Sequence, residues 1–405
     1  TQSRSSAASD VYKRQKLEWG FTTWHGELKR HGWDRYVGYM DHQRAHGYYP
    51  SFLWKDGERL PLPGNTHADG GKTPEIYGPG ATEKRRGNRD GKVTYAPDAM
   101  LAETLKFMEE NRNRPMFILF STNLPHGPVD IPPAENKYAG HPAIRQAYAG
   151  AAGGNRECAG AAEEYASMVD KLDRQVGAIL AQVHKLGLEK RTIIVFSSDN
   201  GHELYYRTDK ERGRGLNCHG GVLDGTGELL DVFRGSRGLI GQKNAMVNLA
   251  GLKWTNHEGG IRIPLIVSWP GTVPHGKVCR SLVANYDHMA TFAELAGVGM
   301  PEGKDSVSYK NMLFGKPSSQ RDYVVVDHTV ITGDGWKLTH KQDKWLLFQI
   351  SSDPEERHNL AETRKDQLER LQAIYRKEAG SPRKDRQKPE QPRKTALFPP
   401  LAFAG

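Results

Sequence analysis

The sequence predicts an α/β fold: a mostly parallel central sheet flanked by helices, followed by a small C-terminal antiparallel α+β subdomain. Three observations predict it. Two apolar runs, "MFILF" at 116–120 and "IIVF" at 193–196, have the texture of strands covered on both faces, as in a parallel sheet. Each follows a stretch of apolar residues at helical spacing. Beyond residue 321 the texture changes to short apolar segments with turns between them, the pattern of antiparallel pairing.

The elements follow in chain order. Residues 1–15, "TQSRSSAASDVYKRQ", are rich in Ser, Ala and Arg with no apolar period, and read as a non-native leader outside the fold. The α/β domain is expected over 16–320. Residues 16–95 are loop-rich and aromatic. Asp98 to Arg112 predicts a helix, with Leu101, Leu105 and Met108 on one face and Pro115 beyond its end. The run at 116–123 is the strand that follows. A long helix is predicted over about 161–186, with a stripe from Tyr165 to Leu186 and a stop at Gly187. The strand 192–198 comes next, then a loop over 203–250. "IPLIVSWPG" (263–271) predicts a third buried strand, and "DHMATFAELAG" (287–297) a short helix. Residues 321–380 carry the antiparallel strands and a helix near 363–379, and 381–405 is a basic, Pro-rich tail read as disordered.

Composition narrows the function classes. The formal charge of +9 falls to +3 once residues 1–15 (+2) and 381–405 (+4) are set aside, so no nucleic-acid partner is expected. No apolar run reaches the ~18–20 residues of a membrane helix. Cys158, Cys218 and Cys279 form no Cys-x-x-Cys pair, which argues against a disulfide scaffold.

Three motifs stand at predicted strand ends, where ligands gather in open α/β sheets. "DNG" ends the strand 192–198. Asp199 and Asn200 offer a carboxylate and an amide oxygen, both hard donors for Ca2+ or Mg2+, and Gly201 lets the chain turn. "NLPHGP" follows the strand 116–121 and fixes an imidazole, His126, between prolines, where it can act as a general acid or bind an oxyanion. "KWTNHEGGIRIP" leads into the third strand, and Lys253 can stabilise charge on a tetrahedral anion. Taken singly, each also reads as an Asn-Gly turn, a surface histidine and a solvated lysine.

Together, in this order and spacing, they resemble the sulfatase family of the alkaline phosphatase superfamily. "RHGWDRYVGYMDHQRAHGYYPSFLW" is similar to a Gly-Phe-Asp-x-Phe region of that family. "RPMFILFSTNLPHGPVDIPP", "TIIVFSSDNG", "KWTNHEGGIRIPLIVSWPG", "DHMATFAELAGV" and "WLLFQISSDPEERHNLA" are similar to successive later signatures. The resemblance covers residues 16–379. It implies an alkaline phosphatase/sulfatase-like fold and a sulfuric ester hydrolase acting on a small-molecule or oligosaccharide sulfate ester. It implies Asp199 and Asn200 as ligands to Ca2+, with Mg2+ the less expected ion. It further implies His126 and Lys253 at the sulfate, and Lys16 as a catalytic lysine. "KLEW" departs from the family's Gly-Lys-Trp pattern at that point, with Glu18 where a histidine is usual. His257 is expected to act only through its neighbours. The family's nucleophile is a formylglycine made from Cys or Ser in a Cys/Ser-x-Pro-x-Arg segment. None of the three cysteines has that context, and the strand with paired aspartates that supplies further metal ligands is not found. The expectation is therefore an N-terminally incomplete sulfatase that lacks its first strand and its nucleophile and is inactive as it stands. The family implies a periplasmic or secreted location. Two rival readings are a phosphonate monoester hydrolase or phosphodiesterase of the same superfamily and a noncatalytic protein that binds sulfated glycans.

Overall fold

The computed structural model describes residues 10–14, 32–40, 44–66, 90–127, 129–149, 156–201, 249–250, 253, 255–300, 303–316, 321–341 and 343–379. The chain divides into two compact units, Thr1–Cys279 with Lys310–Pro317, and Arg280–Tyr309 with Ser318–Gly405.

The first unit holds a five-stranded mixed sheet in the order β4-β3-β2-β1-β5. Its strands are β1 (Asp10–Arg14), β2 (Arg35–Gly38), β3 (Phe52–Lys55), β4 (Glu58–Pro61) and β5 (Met116–Phe120). β1 runs parallel to both neighbours, with Tyr12 opposite Arg35 and Asp10 opposite Met116. The β2–β3 and β3–β4 pairs are antiparallel. Residues 10–14 thus stand within the sheet, in contrast to the leader expected outside the fold and to the missing first strand. Ladder hydrogen bonds are made by the backbone, so a segment without an apolar period can take the slot.

Helix α1 (Ala96–Glu110) buries Met100, Thr104, Phe107 and Met108, a stripe at three- and four-residue spacing. It begins two residues earlier than predicted because Pro97 sits inside its first turn, where a missing N–H leaves no bond unmade. The Asn111 side chain donates to the Phe107 carbonyl (2.9 Å) at its end. Met100 and Phe107 pack with Val37, Leu53 and Leu62, and against Met116, Ile118 and Phe120 of β5. The alternate residues of β5 are open: Phe117 is 39% and Leu119 36% exposed. The expected two-sided cover of β5 is corrected to cover on one face.

Helix α2 (Pro142–Ala149) precedes α3 (Arg156–Lys185), which is 30 residues long. The chain leaves α3 through Gly187 at φ +65°, and the Leu188 N–H returns to the Val183 carbonyl (3.0 Å), as the glycine stop predicts. β6 (Ile194–Ser197) and β7 (Leu265–Ser268) form a separate antiparallel pair. Ile266 in β7 is 61% exposed, so the third strand is not the buried, parallel one expected. Helix α4 (Glu258–Ile261) is a single turn before β7, and α6 (Lys310–Leu313) also belongs to this unit.

The second unit contains α5 (Asp287–Ala296), stopped by Gly297 at φ +70° as predicted. An antiparallel sheet follows in the order β11-β10-β9-β8, built from β8 (Tyr323–Val326), β9 (Thr329–Thr332), β10 (Trp336–Lys341) and β11 (Lys344–Gln349). Helix α7 (Lys365–Ala379) packs Leu371 and Tyr375 against Val330, Leu338 and Leu347. The ammonium of Lys337 meets Glu356 at 2.9 Å, both side chains fully buried.

Candidate functional site

The loop after β5 is built around a turn that carries His126. The Leu124–Pro125 peptide is cis. The His126 N–H donates to the Asn123 carbonyl (2.8 Å), and the Asn123 side chain donates to the Ala45 carbonyl (3.0 Å) of the 3-10 turn Arg44–His46. The hydroxyl of Tyr48 lies 2.8 Å from the Asn123 carbonyl and 2.6 Å from that of His126. The ring of His46, itself buried, meets the His126 ring edge-on with centroids 4.9 Å apart. Behind them Tyr48 stacks on Tyr95 at 5.5 Å, and the Tyr95 hydroxyl donates to the Asp130 carbonyl (2.9 Å) further along the loop. The Asp130 carboxylate takes the buried Lys92 ammonium at 2.5 Å. Burial first, and then the neighbouring Tyr48, Tyr49 and Asp130, hold the Tyr95 hydroxyl well above its ordinary pKa, so it stays a donor.

The loop before β7 supplies Lys253. Its ammonium lies 3.2 Å from Nε2 of His126, across 127 residues of sequence. On the other side, Nδ1 of His126 lies 2.6 Å from the Gly127 carbonyl. A carbonyl can only accept and an ammonium can only donate, so Nδ1 carries the proton and Nε2 presents its lone pair to Lys253.

The third motif is tied to the same loop through the backbone. The antiparallel register sets Ser197, at the end of β6, opposite Leu265, at the start of β7. The residues that leave β6 and those that enter β7 therefore meet at one edge. The Gly201 N–H donates to the Gly260 carbonyl (2.8 Å), and the Gly259 N–H to the Ala250 carbonyl (2.6 Å). A Cβ on Gly201 would stand 2.1 Å from the Gly259 carbonyl oxygen and 2.7 Å from the Gly260 carbonyl carbon. Gly201 is absent from the positive-φ glycines among the described residues, so close approach, not an unusual turn conformation, excludes a side chain there. His257 and Glu258 are buried at α4, with the His257 carbonyl accepting the Gly260 N–H (2.8 Å).

Asp199 is exposed and Asn200 half-buried. No hydrogen bond or ion pair joins the side chain of either to another described residue, and the Ser198 hydroxyl bonds only the Asn200 backbone carbonyl (2.9 Å). Two free, hard oxygen donors at the end of β6 suit Ca2+ or Mg2+ as part of a ligand set of about six to eight oxygens. Among the described residues, no group of three or more His, Cys, Asp and Glu side chains could hold a metal. Lys16 and Cys218 lie outside the described residues; Cys279 is an exposed free thiol.

The site thus brings His126 and Lys253 together and joins the 199–201 turn to the Lys253 loop. Sequence reasoning missed His46, Tyr48 and Tyr95. For His46 and Tyr48 the signal was present in "RAHGYYP": a histidine and two tyrosines clustered before a proline, with no helical or strand period to explain them as packing.

The sulfatase family model matches residues 9–298, and a model described as N-sulphoglucosamine sulphohydrolase, C-terminal, matches 253–379. An N-acetylgalactosamine-6-O-sulfatase of Bacteroides thetaiotaomicron is 26% identical over 226 residues, which is 50% of this chain and 39% of that protein. Rat steryl-sulfatase is 27% identical over 191 residues, 46% of this chain and 28% of that protein. The chain thus spans two fifths or less of the length of these curated relatives. Among solved structures, the protein called BT4656, in complex with D-glucosamine-2-N,6-O-disulfate, superposes with a TM-score of 0.57 at 18% identity, covering 92% of this chain and 79% of that one. The protein called Ps i-CgsB superposes with a TM-score of 0.60 at 21% identity, covering 91% of this chain and 71% of that one. With a family model spanning most of its length, the chain belongs to the sulfatase family.

Proposed function

We propose that the chain carries the sulfate-binding residues and part of the metal site of a sulfuric ester hydrolase acting on a sulfated carbohydrate. One observation carries the reading: the ammonium of Lys253 and the imidazole of His126 meet at 3.2 Å although the sequence separates them by 127 residues. A sulfate monoester spreads one negative charge over three terminal oxygens. The three N–H donors of Lys253 match that anion. With an ester seated between the two groups, Lys253 turns its donors to the terminal oxygens. His126 in its protonated form then donates from Nε2 to the bridging oxygen, the atom that would leave as the alcohol only where an attacking nucleophile takes the sulfuryl group. Asp199 and Asn200 would hold Ca2+, with Mg2+ the less expected ion, and the ion would supply Lewis-acid polarisation of the sulfate. The carbohydrate class follows the names of the relatives: an N-acetylgalactosamine-6-O-sulfatase, and a structure bound to a glucosamine disulfate.

No Cys/Ser-x-Pro-x-Arg segment occurs in the 405 residues. The reading therefore expects these residues to bind sulfate without turning it over. Calorimetric titration with sodium sulfate at constant ionic strength tests it, in wild type and Lys253→Ala, with and without calcium. Saturable sulfate binding that Lys253→Ala abolishes is expected. Binding unchanged in Lys253→Ala would overturn the assignment. Tighter binding of phosphate than of sulfate would favour a phosphodiesterase or phosphonate monoester hydrolase. Release of nitrophenol from p-nitrophenyl sulfate by the purified chain would overturn the expected inactivity.

A further inference from the structure

What His126 can do depends on which ring nitrogen it turns toward Lys253. The Gly127 carbonyl decides that by accepting from Nδ1 at 2.6 Å, which leaves the Nε2 lone pair facing Lys253. This carbonyl belongs to a loop without helix or strand pairing, so something else must hold it in place. The Tyr48 hydroxyl does so from below, 2.6 Å from the carbonyl of His126, the preceding residue, and 2.8 Å from that of Asn123. Its one proton can serve either oxygen, and both lie in the same turn. Tyr48 is only 1% exposed and its ring is stacked on Tyr95, so its hydroxyl is held in place against the turn. The edge of contact with His46, at 4.9 Å, opposes a half-turn of the His126 ring that would exchange its nitrogen and carbon positions.

We infer that Tyr48 is a positioning residue: by gripping the His126 carbonyl it fixes the Gly127 carbonyl where it accepts the Nδ1–H bond, and so keeps Nε2 turned toward Lys253, the nitrogen from which the protonated ring donates to the sulfate ester. The inference rests on the proposed role of His126, but the tautomer can be read without any turnover.

Long-range 1H–15N spectra at alkaline pH report it, with the His126 signals assigned by loss in His126→Gln. In the wild type, His126 is expected as the Nδ1–H tautomer, with the Tyr48 hydroxyl proton protected from exchange. A wild-type Nε2–H tautomer, or an unprotected Tyr48 hydroxyl, overturns the inference even if Tyr48→Phe fails to fold. In folded Tyr48→Phe the Nδ1–H preference is expected to collapse toward a mixture, and sulfate affinity to fall roughly five- to tenfold, the effect of one lost buried hydrogen bond. An unchanged tautomer in that variant overturns it. Tyr95→Phe is the control, since it removes the hydroxyl on the Asp130 carbonyl from the same aromatic cluster. It should lower the melting temperature while leaving the His126 signals in place. An equal tautomer shift in Tyr95→Phe would mean general loosening and would also overturn the inference. If wild type binds no sulfate at all, the proposed function fails, and the tautomer spectra still decide the part played by Tyr48.

Discussion

Replacing Gly201 by alanine tests how the 199–201 turn is joined to the Lys253 loop. The added Cβ would sit 2.1 Å from the Gly259 carbonyl oxygen and 2.7 Å from both the carbon and the oxygen of the Gly260 carbonyl. All three are backbone atoms, so relief requires one segment to move away from the other. Overpacking of this kind costs about 1–3 kcal/mol. The separation also stretches the Gly201 N–H to Gly260 carbonyl bond of 2.8 Å, adding about 1 kcal/mol. Against this, alanine reduces the freedom of the unfolded chain, which returns about 0.4–1 kcal/mol. The net expectation is destabilisation by about 2 kcal/mol, read from urea unfolding followed by circular dichroism. Calcium affinity should weaken in the same variant, because Asp199 and Asn200 are carried on the displaced turn. A Gly201→Ala protein within about 0.5 kcal/mol of wild type would show that the 259–260 turn yields freely, and the close approach would then not explain the glycine.

Three further outcomes follow from other parts of the fold. Gly177 lies inside α3 with nothing within 4 Å of an added Cβ, so Gly177→Ala should stabilise the first unit by about 0.5–1 kcal/mol in the same urea assay; a loss of stability would contradict the helix. Lys337→Met leaves the fully buried Glu356 carboxylate without its ammonium and should cost about 3–5 kcal/mol, seen as a lower melting temperature by calorimetry. An unchanged transition would mean that Glu356 finds another partner. Burial lowers the pKa of His288, against a smaller opposing pull from Asp287, and Nδ1 of His288 lies 2.7 Å from the Tyr309 hydroxyl, itself raised to about 12. The unfolded chain therefore binds a proton, near pH 6.5, that the folded one resists. Stability from His288 is complete above that pH and is lost as the pH falls through it. His288→Gln should flatten the stability profile between about pH 5 and 7 relative to wild type, and an identical slope in the two proteins would refute the assignment.

Much of the fold was legible wherever one segment sufficed to specify it. The stripe on α3, the glycine stops at Gly187 and Gly297, and the closely spaced strands of the second unit all follow from local spacing and local backbone freedom. Strand direction was not legible. An unbroken apolar run such as "IIVF" reads the same whether its neighbour runs parallel or antiparallel, because direction depends on which distant segment arrives beside it. Residues 10–14 were illegible for the opposite reason: their side chains have no period, while their backbone groups pair with β2 and β5.

The candidate site divides along the same line. His126, Lys253, Asp199 and Asn200, the residues of the proposed site, could be singled out from the sequence because each carries its chemistry in its own side chain. The residues that hold them could not, because they act through backbone carbonyls that a sequence does not display. Tyr48 reads as one more buried aromatic until its hydroxyl is found between two carbonyls of the His126 turn. Gly201 reads as a turn residue until its missing side chain is seen to admit the 259–260 backbone. The antiparallel pairing of β6 and β7 supplies what the expected parallel sheet was meant to supply. It sets the exit of one strand beside the entrance of the other, so "DNG" and "EGG" meet although about sixty residues of chain separate them. The loop that closes this edge also carries Lys253 to His126. A change at Gly201 should therefore be felt first at Asp199 and Asn200 and then, through the Gly259 and Ala250 bond, in the contact that the sulfate-binding proposal rests on.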